Sequence, residues 1–435
     1  MKKIIFILFC VTLNAQELTF TLEKSLRIGI ENSKELQIAH SKIIEADAAY
    51  SEISSSMLPK LSLNASYAKL SEVDPFQVTL PGAPGPVTIQ ESFTNNYNLS
   101  ATIEQPLFTG FKLSSLKSAS EFKTEAEKSD YKKVKIEKID NIQQSFWKYF
   151  TTIQVSTLIR ENLDALNSHL KNTISFLENG LVTKNDFLKL KVEIANTELK
   201  LVDALNNEKI ARAQFNKTIG LPLNSETNII AEKLDNYTYS REYEDLLTQA
   251  REKRQELKST KLQIHALNEM ENAAKSDLYP HLFAFGNYYY NNPNQRILPL
   301  TDKFNDTWDV GVLLKWNIWN WGGTSAKVEQ VKEEYLQAEK TFDLLEENIQ
   351  MDVYHNYLNL QRAIKKIDLS DLQVESAEEN YRITKQKYYH QLATSTDLID
   401  AETSLLNAKT TLITSKVEYR IGLSALNRAI GEEVE

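Results

Sequence analysis

The chain has 435 residues, of which 42% are hydrophobic and 25% are charged; this ordinary balance excludes a disordered polyelectrolyte and a transporter built from many membrane helices. The formal charge of −9 argues against a nucleic-acid-binding protein, because such binding needs clustered Lys and Arg. Two long stretches, 107–221 and 300–435, contain no proline, so the sequence predicts long uninterrupted helices there.

The N-terminal segment, residues 1–15, predicts a secretory signal peptide. Lys2 and Lys3 precede an apolar run that ends near the small residue Ala15. The run is too short to cross a bilayer as a helix, and no later window reaches about 18 uninterrupted apolar residues. Cleavage would also remove Cys10, the only cysteine. We therefore expect an exported chain that is stabilised by helix packing rather than by disulfides.

After a first helix, the sequence predicts a β-hairpin over residues 60–107. Apolar and polar residues alternate over 61–67 and again over 97–103, as in strands of about ten residues with one apolar face. The Pro- and Gly-rich segment 81–86 predicts a long loop between them. The same alternation in a single hairpin would also suit a half-buried sheet of a soluble protein.

A long helix is predicted from about 112 to 178. Its apolar residues are mostly three or four positions apart, which is typical of coiled-coil packing. Such a helix would be about 100 Å long at ~1.5 Å per residue, longer than a compact domain. Asn179 and Gly180 then interrupt the pattern, which restarts at Phe187. The helix must therefore fold back as an antiparallel hairpin.

The second half of the chain repeats the first. Pro59 corresponds to Pro280 at an offset of 221 residues, and Gly220 corresponds to Gly431 at an offset of 211. The change of offset indicates ten extra residues in the first half, between about 68 and 96. The second turn, at 391–394, is less clearly marked than the first. The predicted organisation is a first repeat at 16–220, a linker at 221–240, a second repeat at 241–431 with a β-hairpin at 281–319, and a tail at 432–435.

The sequence shows no catalytic constellation, so we expect neither an enzyme nor a bound cofactor or metal. The six histidines are scattered without metal-ligand spacing, and no nucleotide-binding or nucleophile motif is present. The remaining candidates are Asp186, Asp397 and Asp400, near predicted helix starts. They are either acids favoured by the helix dipole or acids that face a pore.

Several of these features together resemble the TolC-like outer-membrane efflux proteins, over nearly all of the mature chain. They are the twofold repeat, the helix-to-strand junctions at 58–61 and 279–282, the strand end at 105–108 and the Gly-Leu-Val-Thr turn at 180–183. The resemblance implies a mainly α fold with membrane β, in which three chains form a twelve-stranded barrel and a periplasmic α-helical tunnel.

The resemblance also implies a function, a location and partners. The protein would be a passive exit duct of the outer membrane for a tripartite efflux pump or a type I secretion system of a Gram-negative bacterium. Its partners would be outer-membrane lipid, a periplasmic adaptor (membrane fusion) protein and an inner-membrane RND or ABC transporter, without nucleic acid. The cargo, whether drugs, metal ions or polypeptide, is not indicated by the sequence.

Site residues follow from the same resemblance. Asp397 and Asp400 match the acidic ring at the periplasmic entrance, Asp186 an acid of the first turn, and Tyr388 a tyrosine of the gate. Ala393 stands where some members have a gate arginine. The turns expected to dock the adaptor contain Gly180, Leu181, Thr183, Leu392 and Thr394.

Elementary physics supports assembly, because four strands cannot close a barrel and an open sheet edge in hydrocarbon leaves backbone groups unpaired. Several copies must then pool their strands, and eight strands would close too tightly for a wide channel. The alternative is a periplasmic coiled-coil spacer or adaptor that never enters a membrane.

Overall fold

The structure is a computed structural model that describes residues 18–82, 84–231 and 237–433. The signal peptide expected at 1–15, including Cys10, lies outside these residues. The helices and strands, in chain order, are β1 (Leu18–Phe20), α1 (Leu22–Glu31), α2 (Lys34–Ser55), β2 (Lys60–Lys69), β3 (Phe76–Val78), β4 (Val87–Gln90), β5 (Asn95–Thr109), α3 (Lys112–Glu178), α4 (Lys184–Thr218), β6 (Thr227–Ile229), α5 (Tyr243–Lys253), α6 (Gln255–Lys275), β7 (His281–Asn292), β8 (Asn305–Lys315), α7 (Gly323–Tyr389) and α8 (Ser395–Ala429). The expected combination of long helices and a few strands is confirmed.

The internal repeat is visible in the backbone. Helices α3 and α7 have 67 residues each, α4 and α8 have 35 each, and corresponding helices begin and end 211 positions apart. Apart from Gly82, between β3 and β4, the left-handed residues in the described part of the chain follow the same offset. These pairs, with φ between +56° and +82°, are Gly110 and Trp321, Phe111 and Gly322, Gly180 and Gln391, and Gly220 and Gly431. The predicted register of 211 residues is thus confirmed from α3 to the end of α8.

The chain divides into two compact units, each of which takes segments from both halves of the sequence. Among the described residues, the first unit comprises 18–40, 130–231, 237–257 and 344–433, and the second comprises 41–82, 84–129 and 258–343. Each long helix, α3 and α7, contributes to both units.

In the first unit, the long helices fold back as antiparallel pairs. Ser156 of α3 donates a hydrogen bond to Glu208 of α4 (2.6 Å), and Lys366 of α7 pairs with Glu418 of α8 (2.9 Å). The predicted helical hairpins are therefore confirmed. A core cluster lies where β1 pairs in parallel with β6, and it is built around Phe20, Ile142, Phe146, Tyr149, Phe215 and Ile219.

In the second unit, the long strands form one antiparallel sheet of order β2-β5-β7-β8. The two predicted hairpins are joined by pairing of β5 with β7, in which Leu99 lies opposite Tyr290. Apolar side chains remain exposed along the edge strands. They include Leu61, Leu63, Trp308, Val310, Val312 and Leu314.

The segment between β2 and β5, expected to be a long loop, contains a short antiparallel ladder of β3 with β4. The ladder brings together Phe76 and Gln90 on either side of the Pro- and Gly-rich segment. None of the described helices is both long enough and apolar enough to cross a membrane.

Candidate gate at the helix turns

The two turns that follow α3 and α7 have the same hydrogen-bond pattern. At the first, Gly180 N–H donates to Leu177 O (3.0 Å) and Leu181 N–H donates to Phe176 O (2.8 Å). This is the Schellman arrangement, in which a left-handed residue ends the helix.

At the second turn, Gln391 N–H donates to Tyr388 O (3.0 Å) and Leu392 N–H donates to Lys387 O (2.8 Å). Gln391 therefore occupies the left-handed position where the first turn has glycine, with φ +61°. The break at 391–394 was weakly marked in the sequence because this glycine is missing.

Each turn leads into a helix through a capping box. Asp186 N–H donates to Thr183 Oγ1 (3.2 Å), and Thr183 N–H donates to Asp186 Oδ2 (3.0 Å). Asp397 and Thr394 repeat both bonds, at 3.1 and 2.8 Å. Such reciprocal bonds satisfy backbone donors that a helix start leaves without partners.

The capping bonds hold both carboxyl groups in their charged form. The hydrogen bond from the Thr183 side chain lowers the pKa of Asp186, and the backbone hydrogen bond from Thr394 lowers the pKa of Asp397. In the single chain these aspartates therefore have the helix-start role that the sequence left open. Asp400 lies one turn further along α8 and is exposed. Since it stands three residues after Asp397, the two side chains share one face of α8.

Tyr388 is buried within the chain, and its hydroxyl lies 2.8 Å from Thr173 Oγ1 of α3. Its ring packs edge-on against His169, at 4.7 Å between ring centroids, and at a tilt against Phe176, at 5.7 Å. Burial raises the pKa of the Tyr388 hydroxyl. Tyr388 thus ties the end of α7 to α3 in this chain.

Sequence reasoning did not find the residues around Tyr388. His169 lies on α3, and its Nε2 is 3.3 Å from Ser395 Oγ while its Nδ1 is 3.7 Å from Glu402 Oε2. His169 and Glu402 are 4% and 5% exposed. A single histidine in a helical pattern carries no signal of such a partner, because Glu402 comes from a distant helix.

The turn residues expected to dock an adaptor are exposed. Leu181 is 47% exposed and Leu392 is 77% exposed, so each turn presents one leucine to the surroundings. Gly180, Thr183 and Thr394 lie beside them and are also exposed. Ala393 is half-buried.

The model of the outer membrane efflux protein family matches residues 28–221 and 246–432. The chain belongs to this family. Both halves of the chain take part in the match, and so do both turns. Among curated protein sequences, no significant match was found.

Solved structures of outer-membrane channels share the fold. The CmeC channel of Campylobacter jejuni matches with a TM-score of 0.79 and 16% identity, over 94% of this chain and 85% of that chain. VceC of Vibrio cholerae matches with a TM-score of 0.78 and 16% identity, over 95% of this chain and 97% of that chain. The open state of MtrE of Neisseria gonorrhoeae matches with a TM-score of 0.75 and 17% identity, over 94% of this chain and 89% of that chain.

Membership of the outer membrane efflux protein family establishes the general function and location. The protein is an outer-membrane channel-tunnel that extends into the periplasm and serves as a passive exit duct for efflux pumps. The family is one of transport channels rather than of enzymes. This decides against the alternative of a periplasmic spacer that never enters a membrane.

Proposed function

We propose that three copies of the chain form the duct by pooling their strands into one twelve-stranded barrel. The observation that carries this proposal is the open sheet, whose edges in the described residues are β2 and β8. Unpaired edge groups in hydrocarbon are costly, so β8 of one copy should pair with β2 of the next. Because the sheet is antiparallel with four strands, this pairing is antiparallel and repeats around a ring.

The number three follows from the size of the barrel and from the family. Two copies would supply eight strands, which close around an interior that side chains fill. Twelve strands leave a lumen. The exposed apolar residues of the edge strands, such as Leu63 and Val310, would then face lipid.

The helical part also offers surfaces for neighbouring copies. Helix α7 exposes apolar side chains at heptad spacing, and α4 exposes a second apolar row. Such faces bury themselves against other helices of the same pattern. In a ring, the face of one copy would meet a different face of the next. The residues are Leu344, Met351, Leu358 and Leu372 on α7, and Leu188, Val192, Leu199 and Val202 on α4.

We further propose that the turns form the periplasmic gate and the docking surface. Asp397 and Asp400 of three copies would place six carboxylates around one axis, with Asp186 and Tyr388 behind them. Leu181 and Leu392 are exposed at the turns and suit an apolar contact.

We propose two partners for this end of the duct. Gly180, Thr183 and Thr394 shape the turns beside the exposed leucines and would belong to the surface that meets a periplasmic adaptor. The adaptor would connect the duct to an inner-membrane RND or ABC transporter, which would supply the energy and choose the cargo.

We also propose that the chain is organised as two repeats, at 16–220 and 241–431, with a linker at 221–240 and a tail at 432–435. Equal lengths of corresponding helices support this division.

The test is the mass of the purified protein in detergent, measured by light scattering with correction for bound detergent. We expect three times the mass of the mature chain. Met351→Glu puts a charge into the apolar row of α7 and should weaken the trimer, whereas Gln350→Glu on an adjacent face should leave it intact. A fully stable monomer or dimer of the unaltered chain would refute the proposal.

A further inference from the structure

A buried polar cluster connects three helices next to the turns. We call it the tip cluster; it consists of His169 and Thr173 on α3, Tyr388 on α7, and Ser395 and Glu402 on α8. Ser395 follows the N-cap of α8, so the cluster joins the start of α8 to α3. Helix propensity and capping do not require a histidine or a glutamate at these buried positions.

Within the cluster, His169 and Glu402 face each other without a hydrogen bond. The Nδ1 and Oε2 atoms are 3.7 Å apart, and each lacks a hydrogen-bond partner among the described residues. A buried carboxylate is costly unless a charge or hydrogen bonds compensate it. Imidazole is the side chain whose ordinary charge change falls between about pH 5 and 8. One proton on His169 therefore decides whether this buried contact is an ion pair.

Among the described residues, the other groups close to His169 do not supply a second buried charge. The Tyr388 ring lies against it from α7, and the Tyr388 hydroxyl bonds to Thr173. The carboxylate of Asp186 on α4 interacts electrostatically with Tyr388, but it already accepts the Thr183 N–H bond of its capping box. From α8, Ser395 contributes a neutral hydroxyl.

Around Glu402, the further charged groups are at the surface or already paired. Lys385 of α7 is exposed and bonds to the Tyr381 hydroxyl at 3.2 Å. Glu402 also lines a cavity of about 140 Å³ with Tyr381, Glu161 and Lys409. Glu161 is exposed, and Lys409 pairs with Glu378 at 2.9 Å. The cavity has room for water.

We propose that His169 and Glu402 form a pH-sensitive latch that joins α3 to α8 when His169 is protonated and releases them when it is not. With the proton present, imidazolium and carboxylate neutralise each other inside the packed helices. Without it, Glu402 keeps a buried charge that separation of the helices exposes to water. The latch rests on the proposed trimeric channel with its gate at the turns.

The sign of the pH dependence follows from proton linkage. The latched, closed state binds the extra proton more tightly than the open state, so lower pH favours closure and rising pH favours opening. A tenfold difference in proton affinity between the two states changes their ratio by up to about tenfold per chain.

The experiment is planar-bilayer recording of the full-length trimer between pH 5.5 and 8. We expect the open probability of the unaltered channel to rise at least about tenfold over this range. His169→Asn and Glu402→Gln should each make it nearly independent of pH. Glu402→Asp keeps the charge and should retain the dependence. The matched control is His390→Asn, which alters an exposed histidine at the second turn and should behave as the unaltered channel.

Several results would overturn the latch. They are an open probability that does not change with pH, a dependence that survives His169→Asn, or one that is lost in His390→Asn. If His169→Asn does not assemble, hydrogen exchange at the C2 position of His169 in the unaltered trimer decides: its titration midpoint must coincide with that of gating, and a mismatch refutes the latch. Absence of conductance at every pH would contradict the trimeric channel itself, whereas pH-independent conductance contradicts the latch alone.

Discussion

Gln391 has a backbone conformation that is usual for glycine and unfavourable for other residues. At φ +61° an L side chain costs roughly 1–2 kcal/mol relative to the right-handed region. The first turn avoids this cost with Gly180, where an added Cβ would meet no atom within 4 Å. Any penalty for a side chain at Gly180 is therefore one of backbone conformation alone.

We expect opposite effects from exchanging residue types at these two positions. Gln391→Gly should stabilise the second turn, and Gly180→Ala should destabilise the first. Each net effect should be about 1 kcal/mol, because the opposing change in the entropy of the unfolded chain offsets part of the conformational strain. Amide hydrogen exchange of peptides over each turn should change by about fivefold in the corresponding direction. His390→Gly, at a neighbouring residue outside the left-handed region, is the control and should speed exchange. Faster exchange in Gln391→Gly would contradict the strain argument.

In the proposed gate, the carboxylates of Asp397 and Asp400 would select cations. Six of them around one axis would attract multivalent cations strongly, even at a high effective dielectric. Asp397→Asn combined with Asp400→Asn should weaken block by a hexammine cation from the periplasmic side by about tenfold or more. The amide at 397 can still accept the bond from Thr394, so assembly should persist.

The matched control for the gate is Asp368→Asn with Asp371→Asn. These two exposed aspartates of α7 are also three residues apart. Planar-bilayer recordings should show unchanged block in this control. Equal blocking affinity in all three proteins would mean that Asp397 serves only as a helix-capping residue.

At the scale of elements, the capping boxes link helix stability to pH. The pKa of Asp186 and of Asp397 is lowered in the folded chain, so each contributes stability that is present above its ordinary pKa near 4 and is lost as pH falls through the lowered value. The same bonds make Thr183 and Thr394 the residues that define where α4 and α8 begin.

Thr394→Ala should therefore destabilise the start of α8 by about 1 kcal/mol at neutral pH. The penalty should shrink at low pH, as the pH falls through the lowered pKa of Asp397, because the Thr394 hydroxyl that the substitution removes donates to Asp397 Oδ2 (2.7 Å) and a protonated carboxyl accepts this bond less strongly. Hydrogen exchange of the first turn of α8, compared at the two pH values, measures it. Thr403→Ala, inside the same helix, should show no pH-dependent penalty. A penalty of equal size at both pH values would argue that the charged form of Asp397 is unimportant.

The elements differ in how well the sequence predicted them. The bounds of α3 agree with the predicted 112–178 because its heptad spacing and the absence of proline are local signals. Pairing of β5 with β7 was not predicted, since it depends on contacts such as Thr102 with Asn287, which are 185 residues apart. The partner of His169 was missed for the same reason. Sequence alone does not decide whether Asp397 is only a helix-start acid or also an acid that faces a pore.

For the whole molecule, membrane insertion would place the segment that joins β2 to β5 and the helices at the other ends of these strands on opposite sides of the outer membrane. Strands β2 and β5 are joined at one end by residues 70–94 and lead at the other end into α2 and α3. If the strands cross the membrane, this connecting segment lies on the other side from the helices. Since the protein extends into the periplasm, we expect the helices there and the connecting segment on the outside.

Single cysteines test this orientation on intact cells. Gly85→Cys lies in the segment between β3 and β4, where an added Cβ would meet nothing within 4 Å. Lys184→Cys lies at the exposed start of α4 and avoids the strain of a side chain at Gly180. An impermeant thiol reagent should label the first variant on intact cells and the second only after the outer membrane is permeabilised. Cys10→Ser in both variants removes any signal from unprocessed chain. Equal labelling of the two variants on intact cells would contradict the orientation, and with it the assignment of Asp397 and Asp400 to a periplasmic gate.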